Sequence, residues 1–166
     1  MNTKLDAITD ILRKAFQVEV DGFTFYSMAA ERATKPAVRE LFERLARDET
    51  EHQAYIRAVM RRYEEHGAGS FHIDPRDPDL AEFSSEIFTD RFREQALGET
   101  SEIGALSIGV QLESNAVEFF DAAARGATDP QIAGFYRFLA DWEGMHLRTL
   151  KHLFDSIRVD AWPEEG

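Results

Sequence analysis

From Leu5 the apolar positions run Leu5, Ile8, Leu12, Ala15 and Phe16, then Phe23, Tyr26 and Ala30, at spacings of three and four. That period predicts a long helix, because residues three and four apart share one face of a 3.6-residue turn. Thr34 and Pro36 then supply a cap and a first-turn residue for a second helix. Its inward row reads Phe42, Leu45, Glu49, His52, Ile56, Val59 and Tyr63, and it stops at His66-Gly67, where glycine ends a helix with little strain. Residues 3–66 therefore read as an antiparallel hairpin with arms ~45 Å long at the helical rise per residue.

Residues 67–100 change character, with Gly67, Gly69, Pro75 and Pro78 clustered at the start. They read as a crossover in which Asp79 caps a short amphipathic helix through Leu80, Phe83, Ile87, Phe88 and Phe92. A second hairpin over 101–157 follows. One arm carries Leu106, Gly109, Glu113, Ala116, Phe120 and Ala124; the other starts near Thr128-Asp129-Pro130 and carries Ile132, Tyr136, Leu139, Glu143, His146, Leu150 and Leu153. A polar tail, 158–166, closes the chain. Strand alternation never holds, so the expected class is all-α: one domain, a four-helix bundle of two hairpins joined by a long crossover.

Sliding the chain against itself by 94 positions aligns the hairpins without a gap: Gln17 with Gln111, Glu19 with Glu113, Phe25 with Phe119, Pro36 with Pro130, Glu49 with Glu143 and His52 with His146. Packing accounts for repeated Ala, Leu and Pro. It does not account for repeated Glu and His on rows that are otherwise apolar. A lone ionised carboxylate in a core costs on the order of several kcal/mol unless it is paired or bound to a cation, and here four converge. Glu and His at i and i+3 share a helical face, so Glu49 with His52 and Glu143 with His146 each present two ligands to one point. Four carboxylates carry four negative charges, which two divalent cations balance. Mixed oxygen and nitrogen ligation suits Fe or Mn better than Mg or Ca. Either Glu-x-x-His alone would read as a chance surface pair; two copies in register with Glu19 and Glu113 read as a dinuclear site.

Composition narrows the chemistry further. There is no Cys, which removes disulfides, thiolate metal sites and thiol nucleophiles. The formal charge of −12 disfavours nucleic acid, whose binding rests on Lys and Arg, and favours cations or simple solubility. No apolar run reaches the length needed to span a bilayer, and the N-terminus has no secretory pattern, so the expectation is a cytoplasmic protein without a membrane partner.

The residues resemble the rubrerythrin and ferritin-like superfamily. The resemblance is carried by Glu19 with Gly22-Phe23-Thr24-Phe25-Tyr26, by Asp48-Glu49-Thr50-Glu51-His52, by Glu113, and by Glu143-Gly144-Met145-His146. It implies a ferritin-like bundle holding two Fe ions, with Mn as the alternative metal, on Glu19, Glu49, His52, Glu113, Glu143 and His146. It also implies reaction with hydrogen peroxide or oxygen. Full rubrerythrins carry a four-Cys iron domain that this chain lacks, so an external electron donor is expected. They also carry an extra Glu near the third-helix ligand, where this chain has Val110 and Ala116, leaving a symmetric set as in bacterioferritins. The chain is similar, too, to the ferritin-like module found beside membrane iron transporters, without a membrane part of its own.

Tyr26, one heptad from Glu19, is the candidate catalytic residue, able to donate a hydrogen bond or proton to a bound oxidant; ordinary core packing is its alternative. Asp48, Gln17 and Gln111 are candidates to support the ligands from behind, with a solvated face as the alternative for Asp48. His66, His72 and His152 read as surface or loop residues, and Met28, Met60 and Met145 as core filler. Thirteen Phe suggest a homodimer. The competing functions are ferroxidation of ferrous iron with storage, a catalase-like di-manganese centre, and a helical scaffold with a degenerate site.

Overall fold

Only residues 33–35 separate the first two helices and only residues 127–129 the last two, and links this short leave each pair no geometry but antiparallel. The computed structural model describes residues 3–67 and 80–161, with side chains over 8–67 and 80–158. Its elements are α1 (Thr3–Arg32), α2 (Pro36–His66), a 3-10 turn (Ala81–Ser84), α3 (Glu86–Ala96), α4 (Thr100–Gly126) and α5 (Pro130–Ala161). Every element of regular structure among the described residues is helical, as the periodicity requires. α5 runs to Ala161, about a turn past the expected end of the hairpin at 157, so 158–161 are helix and not tail; 162–166 lie outside the described residues.

Local signals set most helix ends. Gly67 sits at φ 71 and closes α2 with its N–H on the Tyr63 carbonyl. Asp129 starts α5, its Oδ1 accepting from the Gln131 N–H at 2.8 Å. Two expected caps are replaced. Lys35, not Thr34, holds the N-cap position of α2 without a side-chain bond, and the carboxylate that serves this end comes from α4. Glu102 Oε1 accepts from Thr34 N and Thr34 Oγ1 at 2.9 Å each, and from Lys35 N at 3.3 Å. A charge at a helix N-terminus complements its dipole, and here it also ties the hairpins together. Asp79, expected to cap the crossover helix, lies outside the described residues; Ser85 caps α3 through the Phe88 N–H at 3.2 Å, so regular helix begins only at Glu86.

Within each hairpin the helix backbones run close together; between hairpins the approach is mainly through side chains. The apolar rows bury two clusters. One gathers Tyr26, Leu41, Phe42, Leu45, Leu106 and Leu150 with Phe83, Phe88 and Phe92 from the crossover. The other gathers Leu12, Ile56, Tyr63, Phe120, Tyr136 and Trp142. α3 lies against α2 and α5 and covers that side, while α1 and α4 face each other loosely on the other.

Candidate metal centre

The rows that supply the core also carry the polar residues inward. Glu19 comes from α1, Glu49 and His52 from α2, Glu113 from α4, and Glu143 and His146 from α5; none is more than 2% exposed. All six residues singled out by the repeat meet at one place. They form two interlocked groups, Glu19-Glu49-His52-Glu143 and Glu49-Glu113-Glu143-His146, whose offered ligand atoms lie within 4.8 Å of one another in each group. Glu49 and Glu143 belong to both. His52 Nδ1 is 3.0 Å from Glu19 Oε2 and 2.9 Å from Glu143 Oε1. His146 Nδ1 is 3.4 Å from Glu113 Oε1 and 3.6 Å from Glu49 Oε1 and Glu143 Oε2. The two imidazoles lie nearly parallel, their centroids 5.3 Å apart.

Two glycines make the arrangement possible. A Cβ at Gly22 would lie 2.9 Å from the Glu49 carboxyl carbon and oxygen, so glycine leaves this carboxylate its place. A Cβ at Gly109 would press on Leu150 at 3.3 Å and on the Tyr26 ring at 3.4 Å. Tyr26 is fully buried and its hydroxyl donates to Glu113 Oε1, so it is both a core residue and a contact of the site. On the loosely packed α1–α4 side, a cleft of about 290 Å³ is lined by Val18, Asp21, Gly22, Asn115 and Phe119, with Glu49, Glu113 and Glu143 at its floor.

Burial opposes charge on every one of these groups, and their neighbours decide the outcome. Glu19 is pushed well above the ordinary carboxyl range by burial and by the charge of Glu143. Glu113 is pushed up in the same way by burial and Glu143. Burial works against ionised Glu143, but His52 and His146 beside it hold its carboxyl below that range. Glu49 is likewise held down, against burial and Glu143, by its bonds to His146 and His52. Burial disfavours the imidazolium forms too, yet Glu143 and Glu19 hold His52, and Glu113 and Asp48 hold His146, well above the ordinary imidazole value. Within one cluster, then, two imidazoles and two carboxyls are shifted toward keeping a proton and two carboxyls toward giving one up.

Asp48 proves to be a buried support, 3% exposed, with Oδ2 3.2 Å from His146 Nε2 and Oδ1 accepting from Arg44 Nε at 2.8 Å. Gln17 and Gln111 do not reach the ligands; they are exposed and donate to Asp21 and Asn115 one turn on, each at 2.8 Å. His66 and His152 are exposed, as their lack of repeat partners implied, while His72 lies outside the described residues. Met60 and Met145 are partly buried against the core, but Met28 is 46% exposed and is not core filler: its place on α1 falls on the open side facing α4. Trp142 is the residue that sequence reasoning passed over. It stacks on His52 with centroids 4.1 Å apart, and the signal that could have found it is its alignment, under the repeat, with Asp48.

The residues present fit metal ions. Glu19 Oε1, His52 Nε2 and His146 Nδ1 are buried without a hydrogen-bond partner, a costly condition that ligation by a cation relieves for the carboxylate oxygen and the inner imidazole nitrogen. A family model described as Rubrerythrin matches residues 10–154. The chain belongs to the rubrerythrin family. Comparison with curated proteins and with solved structures gave no match. Membership of this di-iron carboxylate family and the buried Glu/His cluster together point to metal binding, typically of iron. No helix among the described residues is long and apolar enough to cross a membrane.

Proposed function

We propose that Glu19, Glu49, His52, Glu113, Glu143 and His146 hold two iron ions, and that the protein reduces hydrogen peroxide or oxygen with electrons from a separate donor. The observation that carries this reading is the sharing of Glu49 and Glu143 by two ligand groups, which provides for two metals close together with four carboxylates to balance their charge. Two adjacent irons supply two electrons in one event, one from each metal. The chain's residues do the rest. The α1–α4 cleft admits a small oxidant beside Glu49, Glu113 and Glu143, and the apolar clusters at either end keep bulk water out. Tyr26 keeps its proton, because burial and the Glu113 charge push its phenol well above the ordinary value, and its Oη–H stands one hydrogen bond from the site, ready to be redirected.

A ferroxidase reading, with ferrous iron as substrate, draws support from the symmetry of the ligand set: Val110 and Ala116 bring no further carboxylate. The exposed Phe23, Met28 and Ile108 favour a homodimer over a free monomer. Reconstitution with ferrous iron, followed by anaerobic mixing with peroxide and separately with oxygen, tests the proposal. Two irons per chain with peroxide oxidising them faster than oxygen is the expected result. Growing iron load under oxygen would replace it with ferroxidation, and no iron uptake would overturn both.

A further inference from the structure

The repeat that duplicates the ligands does not duplicate what stands behind them. Arg44 and Asp48 on α2 align with Phe138 and Trp142 on α5. An ion pair at one position is an aromatic pair at the other, the Phe138 and Trp142 rings lying 4.7 Å apart. The consequence falls on the two imidazoles. When Nδ1 of a neutral histidine binds a cation, Nε2 carries the proton, and a carboxylate accepting that proton orients the ring and raises its basicity. His146 has such an acceptor: Nε2 lies 3.2 Å from Asp48 Oδ2, and Arg44 holds that carboxylate in place. His52 has none. Its Nε2 is buried without a partner, and the stack on Trp142, 13° from parallel, fixes the ring plane while offering no acceptor. The carboxylates repeat the contrast, since Tyr26 anchors Glu113 whereas the Oε1 of Glu19 has no partner.

We propose that the two metal positions are unequal: the one built on Glu113 and His146 fills first and tightly, and the one built on Glu19 and His52 is the labile position that exchanges its cation. This rests on the six-ligand reading above and assigns Asp48 and Trp142 as the positioning residues that separate the two affinities. Loss of a supporting partner of a ligand histidine lowers metal affinity by roughly 10–100-fold, which sets the expected separation.

Anaerobic titration of the full chain with Co(II), followed by its visible absorption and by competition with a chelator, measures both steps without reference to turnover. The wild type should fill in two steps. Glu19→Ala should keep the tight step and lose the weak one, and Glu113→Ala should do the reverse. Asp48→Asn, which preserves shape, should weaken the tight step about tenfold or more. Trp142→Ala, which takes the ring from His52, should weaken the second step and leave the tight one in place, and Trp142→Phe, which keeps a ring there, should restore the second step. Circular dichroism checks that each variant is helical. Two equal steps in the wild type, or loss of the tight step in Glu19→Ala, would overturn the inequality while leaving the metal site standing. No cobalt binding by the wild type would overturn the six-ligand reading, and the inequality with it.

Discussion

The two hairpins carry the same three ligands at the same spacing, yet almost everything touching those ligands differs between them. Gly22 lies against Glu49, where its counterpart is Ala116; Tyr26 reaches Glu113, where its counterpart is Phe120; Gly109 gives room to Tyr26, where its counterpart is Ala15. The ligands answer to charge balance, which needs all four carboxylates at once and is blind to which hairpin supplies each. Under the proposed reduction of peroxide or oxygen, the surroundings answer to a reaction that needs one proton donor and one open approach. A duplicated fold can therefore keep its metal site symmetric while the rest of each half specialises.

The comparison breaks most completely where the halves share a residue. Since Glu49 and Glu143 each serve both ligand groups, Glu49→Ala with Glu143→Ala should take bound metal from two per chain to none while the helices persist, as metal analysis and circular dichroism would report. Retention of two metals would sink the assignment.

Next in size is the response of both halves to pH. His52, His146, Glu19 and Glu113 all have raised values, so the fold holds more protons than the unfolded chain as pH rises past the ordinary imidazole value near 6.5. Their contribution to stability is present at lower pH and lost as pH climbs through the folded values; chelator-treated protein should melt progressively lower as pH rises above the ordinary imidazole value. Glu49 and Glu143 act in the opposite sense, and their contribution fades only as pH falls below the ordinary carboxyl range. Cation binding needs these ligands deprotonated, so Co(II) affinity should tighten as pH rises, with protons released into weak buffer. A flat affinity would contradict this protonation pattern.

Tyr26→Phe makes the first hairpin resemble the second at that position. It removes the proton nearest Glu113 and should slow peroxide-driven oxidation of the iron-loaded protein by roughly 10²-fold or more, the usual scale of a positioned proton donor, with metal content unchanged. An unaltered rate would return Tyr26 to core packing alone.

The smallest effect separates stability from binding. Gly22→Ala should raise the melting temperature of the chelator-treated protein, because alanine in a helix is favoured by about 1 kcal/mol, yet weaken metal binding by displacing the Glu49 carboxylate. Ala116→Gly, its mirror, should cost about the same 1 kcal/mol and leave binding alone.

Much of this was legible in the sequence because it depends on period and repetition. The long helices, the turn at Gly67 and the meeting of Glu19, Glu49, His52, Glu113, Glu143 and His146 follow from rows three and four residues apart, in two copies. What could not be read depended on partners distant along the chain. Glu102 looks like an ordinary helix-face acid until α4 is laid beside the α1–α2 turn, where it binds Thr34 and Lys35. Met28 shares the helical spacing of core residues and is still half exposed, because it lines an open cleft between α1 and α4 with Ala105 and Ile108.

By itself, then, the sequence determined an all-α bundle of two hairpins with a six-residue layer of Glu and His on its inward rows, since helical periodicity and charge are properties of spacing and composition. Only the tertiary structure decided which ligand is supported and which is not. The acceptor of His146 sits on α2, the ring against His52 sits on α5, and the donor to Glu113 sits on α1, so each contact exists only once the hairpins are packed.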